Sequence, residues 1–352
     1  MAPAEKIAAV IDLDALLAPI DGDNPAGESL RYEGTYDKIR EERREDENLA
    51  QGEWQRDLKV ADWAEVIKLA TQALKTKTKD LQIAAWLTEG LVKYERNDRL
   101  AGLRDGLKLM RELEDRFWDN FYPEIDPEDD EGPLASRANV IESIDARLGV
   151  IIREVPVTNG AGMKLSFNQW EESKQFDIPE NLDVLDSEQA QRVTELKARA
   201  QAENRTTSED WRKSKNATTR DFVEQRFELL NECWDEFKAL DELHNVRYQR
   251  EAPGMRALQK ALDDVRTMVE RLLKEKRAAE PRPDEMVQEE FGEDGASPGS
   301  ENGSGGMTLS AGAVRSRQEA FKRLTEIAEY LRQAEPHSPV PYLILQIGRA
   351  HV

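Results

Sequence analysis

Three histidines, His244, His337 and His351, and one cysteine, Cys233, are all the chain offers for imidazole or thiolate chemistry. A helical zinc site sets two imidazoles at i and i+4 so that both nitrogens reach one ion, and no two of these histidines are that close. His244 falls late on an amphipathic helix and reads as a packing or surface residue. His337, between a helix stop and a proline turn, reads as the maker of a local hydrogen bond. Cys233 stands among Phe227, Leu230, Trp234 and Phe237, the setting of a packed thiol rather than of an exposed thiolate. A lone cysteine also forms no intramolecular disulfide and no cysteine cluster for zinc. Gly160-Ala161-Gly162 begins like a dinucleotide loop, but Leu165 takes the place of the third glycine and no strand leads into it. Counted from Asp126, a calcium loop would need Gly at 131 and Glu at 137, where the chain has Glu131 and Arg137; counted from Asp21, its last ligand would be Tyr32. Paired acids such as Asp129-Asp130 have the chemistry of a general acid and base, yet with 71 acidic residues they read as a solvated loop. The expectation is a chain with no catalytic residue, no cofactor and no metal.

Recognition is the remaining chemistry, and charge limits its partners. The net charge is −21 over 352 residues. A phosphate-binding face needs clustered Lys and Arg, whereas here bases alternate with acids, as in Lys38-Ile39-Arg40-Glu41-Glu42-Arg43-Arg44-Glu45, the pattern of a solvated helix face. Nucleic acid is therefore not an expected partner. No apolar run approaches the ~18 residues of a membrane span, and no leader pattern opens the chain, so a soluble cytoplasmic protein is expected.

The residues of most interest run from Leu16 to Tyr32, Leu-Leu-Ala-Pro-Ile-Asp-Gly-Asp-Asn-Pro-Ala-Gly-Glu-Ser-Leu-Arg-Tyr. Pro19, Gly22, Asn24, Pro25 and Gly27 forbid a helix and select turns. Leu16, Leu17, Ile20, Leu30 and Tyr32 are apolar groups by which such a loop would be pinned to a body. Pro19, Gly22, Asn24, Pro25, Gly27, Leu30 and Tyr32 are the candidate structural or partner-binding set.

The elements that must carry this loop are helices. After a charged helix from Tyr36 to about Asn48, Asp62 is a good N-cap for a stripe of Trp63, Val66, Ile67, Ala70, Ala73 and Leu74. A short turn at 77–79 leads to Asp80, which caps a second stripe of Leu81, Ala84, Ala85, Thr88, Leu91 and Val92, so these two helices are antiparallel neighbours. Leu100, Leu103, Leu107, Met110 and Leu113 form a third helix ending in Phe117-Trp118. Beyond an acidic loop comes a fourth, with Val140, Ile141, Ile144, Leu148, Ile151 and Ile152. A short strand at 164–167 is the one extended candidate. The predicted fold is all-α, with an N-terminal helical bundle domain over 1–154 and a middle helical region over 155–279. That region holds a long hairpin, Val223 to Phe237 and Met255 to Leu272. Met255, Leu258, Leu262, Val265, Val269 and Leu272 repeat at threes and fours, a narrow seam that either pairs within the chain or meets another copy. Residues 280–312, rich in Gly, Ser, Pro and acids, read as a disordered linker, and 313–352 as the start of a C-terminal module. Trp63, Trp86 and Trp118 lie on helix stripes as core. Trp54, Trp170 and Trp211, near connectors, are half-buried packing residues or interface anchors.

Taken in order, these blocks resemble the ImpA/TssA family of the bacterial type VI secretion machine. The resemblance is carried by the 19–32 loop, Asp62-Trp63-Ala64-Glu65-Val66, Thr78-Lys79-Asp80-Leu81 and Ala85-Trp86-Leu87. It continues in Gly102-Leu103-Arg104-Asp105-Gly106-Leu107 through Tyr122-Pro123, in Pro156-Val157-Thr158, in Ser316-Arg317-Gln318-Glu319-Ala320 and in Glu335-Pro336-His337-Ser338-Pro339-Val340-Pro341-Tyr342-Leu343. It implies a non-enzymatic assembly scaffold that organises baseplate and sheath/tube polymerisation through protein contacts, and that self-associates, as a ring in the full-length family member, through a C-terminal multimerisation domain. After Leu345, where the family continues in helix, Ile347 to Val352 match what a sequencing adapter encodes in one frame, so these six residues are expected to be foreign and that domain incomplete. Two other classes compete. A tetratricopeptide-type helical adaptor would need its Trp-x₂-Leu-Gly-x₂-Tyr repeat, which is absent, and a carboxylate-dependent enzyme would need a site that none of these motifs supplies.

Overall fold

The computed structural model describes residues 7–45, 59–181 and 185–281. Trp54, His337, His351, most of the 280–312 linker and the 313–352 module lie outside the described residues.

Eleven α-helices build the described part. The first six are α1 (Leu13–Leu17), α2 (Thr35–Arg43), α3 (Trp63–Thr76), α4 (Leu81–Lys93), α5 (Arg99–Phe117) and α6 (Ala135–Ile151). Three short or exposed helices follow, α7 (Phe167–Ser173), α8 (Ser187–Ala202) and α9 (Ser208–Ala217), and then the long pair α10 (Arg220–Tyr248) and α11 (Arg256–Ala279). Their starts are set locally. Asp62 accepts from the Glu65 N–H, and Asp80 from those of Gln82 and Ile83; Ser166, Asp186 and Thr207 close capping boxes on α7, α8 and α9. The short strand expected at 164–167 is reduced to one isolated bridge between Pro156 and Ser166, because Ser166 leaves the extended chain to cap α7.

Helix α4 is the axis. It is buried on every face from Ile83 to Val92, with α3, α5 and α6 around it. The α4–α5 crossing is close: a Cβ on Gly106 would stand 2.4 Å from Thr88 Cγ2, so only glycine fits there. Polar groups inside this layer are paired. The buried Glu89 carboxylate takes Arg43 Nε at 3.0 Å and Arg147 at 3.2 Å.

The hairpin of α10 and α11 closes over α5 and α6, and here the structure departs from the expected boundary at 154. One continuous core runs from Leu16 to Leu273. Its polar ties bridge the two halves. Asp145 on α6 accepts from the Ala257 and Leu258 N–H groups at 3.1 and 2.8 Å and so caps α11, Arg226 pairs with Asp98, and buried Glu114 accepts from Tyr248 Oη while lying 3.0 Å from His244 Nε2. A domain ending at 154 would expose the α5 and α6 faces that these helices cover. The seam is corrected for the same reason. Met255, Leu258, Leu262, Val265, Val269 and Leu272 are all buried within the single chain, so no apolar stripe is left on it for another copy.

Candidate functional site

The loop at 19–32 lies on the helical body, anchored by its backbone. Gly27 adopts φ +74°, which turns the chain so that Glu28 N donates to Lys77 O at 3.0 Å and Lys79 N to Ala26 O at 2.7 Å. Asn24 closes the turn from inside: its Oδ1 accepts from Ala26 N, and its Nδ2 donates to Gly27 O at 2.9 Å. The Pro25 carbonyl accepts from Ile20 N at 2.9 Å. Leu16, Leu17 and Leu30 are buried and Ile20 half-buried, so three of the five expected apolar anchors are in the core, joined by Ala26. Pro19, Gly22 and Pro25 face solvent. Tyr32 does not anchor anything; 90 % of it is exposed, its ring lying 5.8 Å from the Arg31 guanidinium.

Lys79 fastens the floor beneath the loop. Its buried ammonium donates to Leu16 O at 2.6 Å and Leu74 O at 2.7 Å, carbonyls at the C-terminal ends of α1 and α3, where helix dipoles favour a cation. Burial pushes this amine down to about 8. Tyr122 joins the opposite side: its N–H donates to Lys79 O, its carbonyl accepts from Leu81 N, and its hydroxyl donates to Gly27 O at 3.1 Å. The turn around Tyr122 is held in place by Arg137, whose buried guanidinium donates to Pro123 O, Trp118 O and Phe121 O at 2.6, 2.9 and 2.8 Å.

These supports leave an open groove of about 1040 Å³ between the loop, α2, α4, the 122–126 segment and α6. Trp86 and Tyr36 meet edge to face at 4.9 Å in its wall, and Tyr36 Oη donates to Asp80 at 2.7 Å. Burial raises the Asp80 carboxyl to about 6 in spite of this bond and those from Ile83 and Gln82; burial and the same carboxylate raise the Tyr36 phenol. Tyr32 and Ile125 are the exposed large apolar side chains at the groove, with Arg31, Arg40, Asp37, Glu124 and Asp126 among them. Tyr, Trp and Arg are the residue types that dominate binding hot spots, and the arrangement suits capture of a polypeptide surface. Tyr36, Trp86 and Tyr122 belong to three separate sequence blocks. No local signal in any one of them indicates that they face a common groove.

Elsewhere the structure places Cys233 and His244 in the core. Cys233 is buried, its thiol pushed up by burial and donating to Leu100 O. His244 lies against Glu114 and Tyr248, with its Nδ1 unpartnered. Trp86 and Trp211 are buried, Trp63, Trp118 and Trp170 half-buried. Among the described residues no group of three His, Cys, Asp or Glu is arranged to hold a metal ion, and no helix is long and apolar enough to cross a membrane.

Residues 17–146, which contain both the anchored loop and the groove, match the family described as ImpA, N-terminal, type VI secretion system. A solved structure of similar fold is the N-terminal domain, including the conserved ImpA_N region, of the TssA component of the type VI secretion system from Burkholderia cenocepacia. It is similar at a TM-score of 0.60 and 27% identity, over 78% of this chain and 98% of that one. Over residues 17–146 the chain is thus similar to the ImpA N-terminal region of TssA proteins of type VI secretion. The type VI secretion system component TssA1 of Pseudomonas aeruginosa is 34% identical over 131 residues, 35% of each chain; the match thus spans about a third of that relative's length. Because the solved TssA domain covers more of this chain than the ImpA N-terminal match does, the likeness extends past α6 into the helices that close over it.

Proposed function

We propose that this chain is a TssA/ImpA-family, non-enzymatic assembly scaffold of type VI secretion, working in the cytoplasm to organise the baseplate and the sheath and tube polymers through protein contacts. The observation that carries this is Tyr32. A large aromatic side chain stands 90 % exposed on a loop whose backbone is bound to the body on both sides of Gly27, beside a groove walled by Trp86 and Tyr36. An anchor held this way loses little conformational freedom on binding, which favours affinity. Self-association belongs, in this reading, to residues beyond 280, since the hairpin seam is used within the chain.

Co-purification tests the proposal. The full chain, produced with tube, sheath or baseplate proteins from the same secretion locus, should retain at least one of them, and Tyr32→Ala should reduce retention about tenfold or more, as loss of an aromatic hot spot does. Retention of none, or equal retention by Tyr32→Ala, would remove this face from the assembly role.

A further inference from the structure

We infer that the Tyr122 hydroxyl is a positioning group for the face that carries Tyr32: it ties the 19–32 loop to the 122–126 segment, so that Tyr32 and Ile125 meet a protein partner at one fixed spacing. This rests on the assembly reading above and adds the residue that preorganises the face.

The two segments share a support. The connection between α3 and α4 runs between them and takes the loop on one side, through Glu28 N to Lys77 O and Lys79 N to Ala26 O. On its other side it takes the second segment, through Tyr122 N to Lys79 O at 2.9 Å and Leu81 N to Tyr122 O at 2.8 Å. Isolated bridges accordingly pair Gly27 with Thr78 and Asp80 with Tyr122. These backbone bonds fix each outer segment to the middle one and neither to the other. The Tyr122 side chain spans the gap. Its hydroxyl donates to Gly27 O at 3.1 Å and accepts from Asn24 Nδ2 at 3.3 Å, joining positions 95 and 98 residues apart. Among the described residues, the hydrogen bonds between the loop and the 122–126 segment all run through this one oxygen.

The surroundings of Tyr122 keep it in that role. Its ring is buried, and burial raises the phenol above its ordinary value, so the hydroxyl holds the proton it donates. Behind the ring, Arg137 fixes the turn by the carbonyls of Trp118, Phe121 and Pro123. In front, Tyr32 and Ile125 are the exposed large apolar side chains at the groove, one from each tied segment. A fixed spacing spares a partner the cost of ordering the face as it binds. Folding depends on the tie much less. Gly27 O also accepts from Asn24 Nδ2 at 2.9 Å, so Tyr122→Phe leaves that carbonyl satisfied, and it is orphaned groups that cost most.

The test uses the full chain with nitroxide labels at Tyr32→Cys and Ile125→Cys, both exposed, the native Cys233 being buried away from the reagent. Distances between the labels are read by pulsed dipolar spectroscopy. With Tyr122 in place the distribution should be narrow. Tyr122→Phe should broaden it at least about twofold, with the thermal midpoint moved by less than ~2 °C. A reference pair at Lys68→Cys and Glu142→Cys, exposed on α3 and α6, should keep its width. In co-purification with tube, sheath and baseplate proteins, Tyr122→Phe in the unlabelled chain should lower retention about three- to tenfold, and should add nothing to the loss caused by Tyr32→Ala. An unchanged width between the groove labels overturns the inference. So does equal broadening of both pairs, which would make the hydroxyl a general support of the fold. Full retention by Tyr122→Phe overturns it as well: if Tyr32→Ala alone loses the partner, the assembly reading stands without a positioning role for Tyr122, and if neither variant loses it, both fall.

Discussion

Replacing Gly27 by Ala should release the anchored loop, and its effect can be worked from the structure. Gly27 sits at φ +74°, where an L-residue costs about 1–2 kcal/mol. The added Cβ would stand 2.0 Å from Lys77 O and 2.8 Å from Lys77 C. Both are backbone atoms, so no rotamer change relieves the overlap and the loop must lift away. Lifting gives up the bonds from Glu28 N to Lys77 O and from Lys79 N to Ala26 O, about 1 kcal/mol each. The total is roughly 3–4 kcal/mol. With an unfolding entropy of ~2.1 cal/mol/K per residue over ~260 described residues, the melting midpoint should fall by about 5–7 °C. Gly22→Ala is the control: Gly22 also has positive φ, +135°, but a Cβ there meets nothing within 4 Å, so only the conformational effect remains, about 1–2 kcal/mol and ~2–4 °C. Thermal melts followed by circular dichroism compare the two. Midpoints for Gly27→Ala and Gly22→Ala within about 2 °C of each other would show that the loop does not depend on the close approach to Lys77.

Asp80 should impose a pH dependence of a definite sign. Its carboxyl is raised from 3.8 to about 6 by burial, so between those values the folded state keeps a proton that the unfolded chain releases, and stability falls as pH rises through that window, by up to ~3 kcal/mol. Asp80→Asn preserves an acceptor for Gln82 and Ile83 while abolishing the titration, so in urea melts it should gain on the parent from pH 4 to 7; a constant difference would reassign the dependence. Leu262→Asp, at a fully buried position of the hairpin, should lower the folding midpoint sharply, since an unpaired charge in an apolar seam costs several kcal/mol. Loss of oligomer mass by light scattering with the midpoint intact would restore the seam as a contact between copies.

The sequence by itself determined the parts of this protein that depend on residues a few positions apart. Helix stripes at three and four, the N-caps at Asp62 and Asp80 and the turn chemistry of the 19–32 loop are settled by neighbours along the chain, which is why the all-α class and the anchored loop were both legible. Only the tertiary structure decided what each apolar face meets. The stripe from Met255 to Leu272 required burial, and either a second copy or α6 and α10 would satisfy that requirement; the fold places it within the chain. The apparent boundary at 154 vanished for the same reason, because Asp145 caps a helix that begins more than a hundred residues later. Tyr32 reads as an apolar anchor until the backbone direction after Leu30 turns it outward. The groove itself, made by Tyr36, Trp86, Tyr122 and the 122–126 segment, has no signature in any single segment, since a concave surface is a property of how helices are set against one another and not of the order in which they are connected.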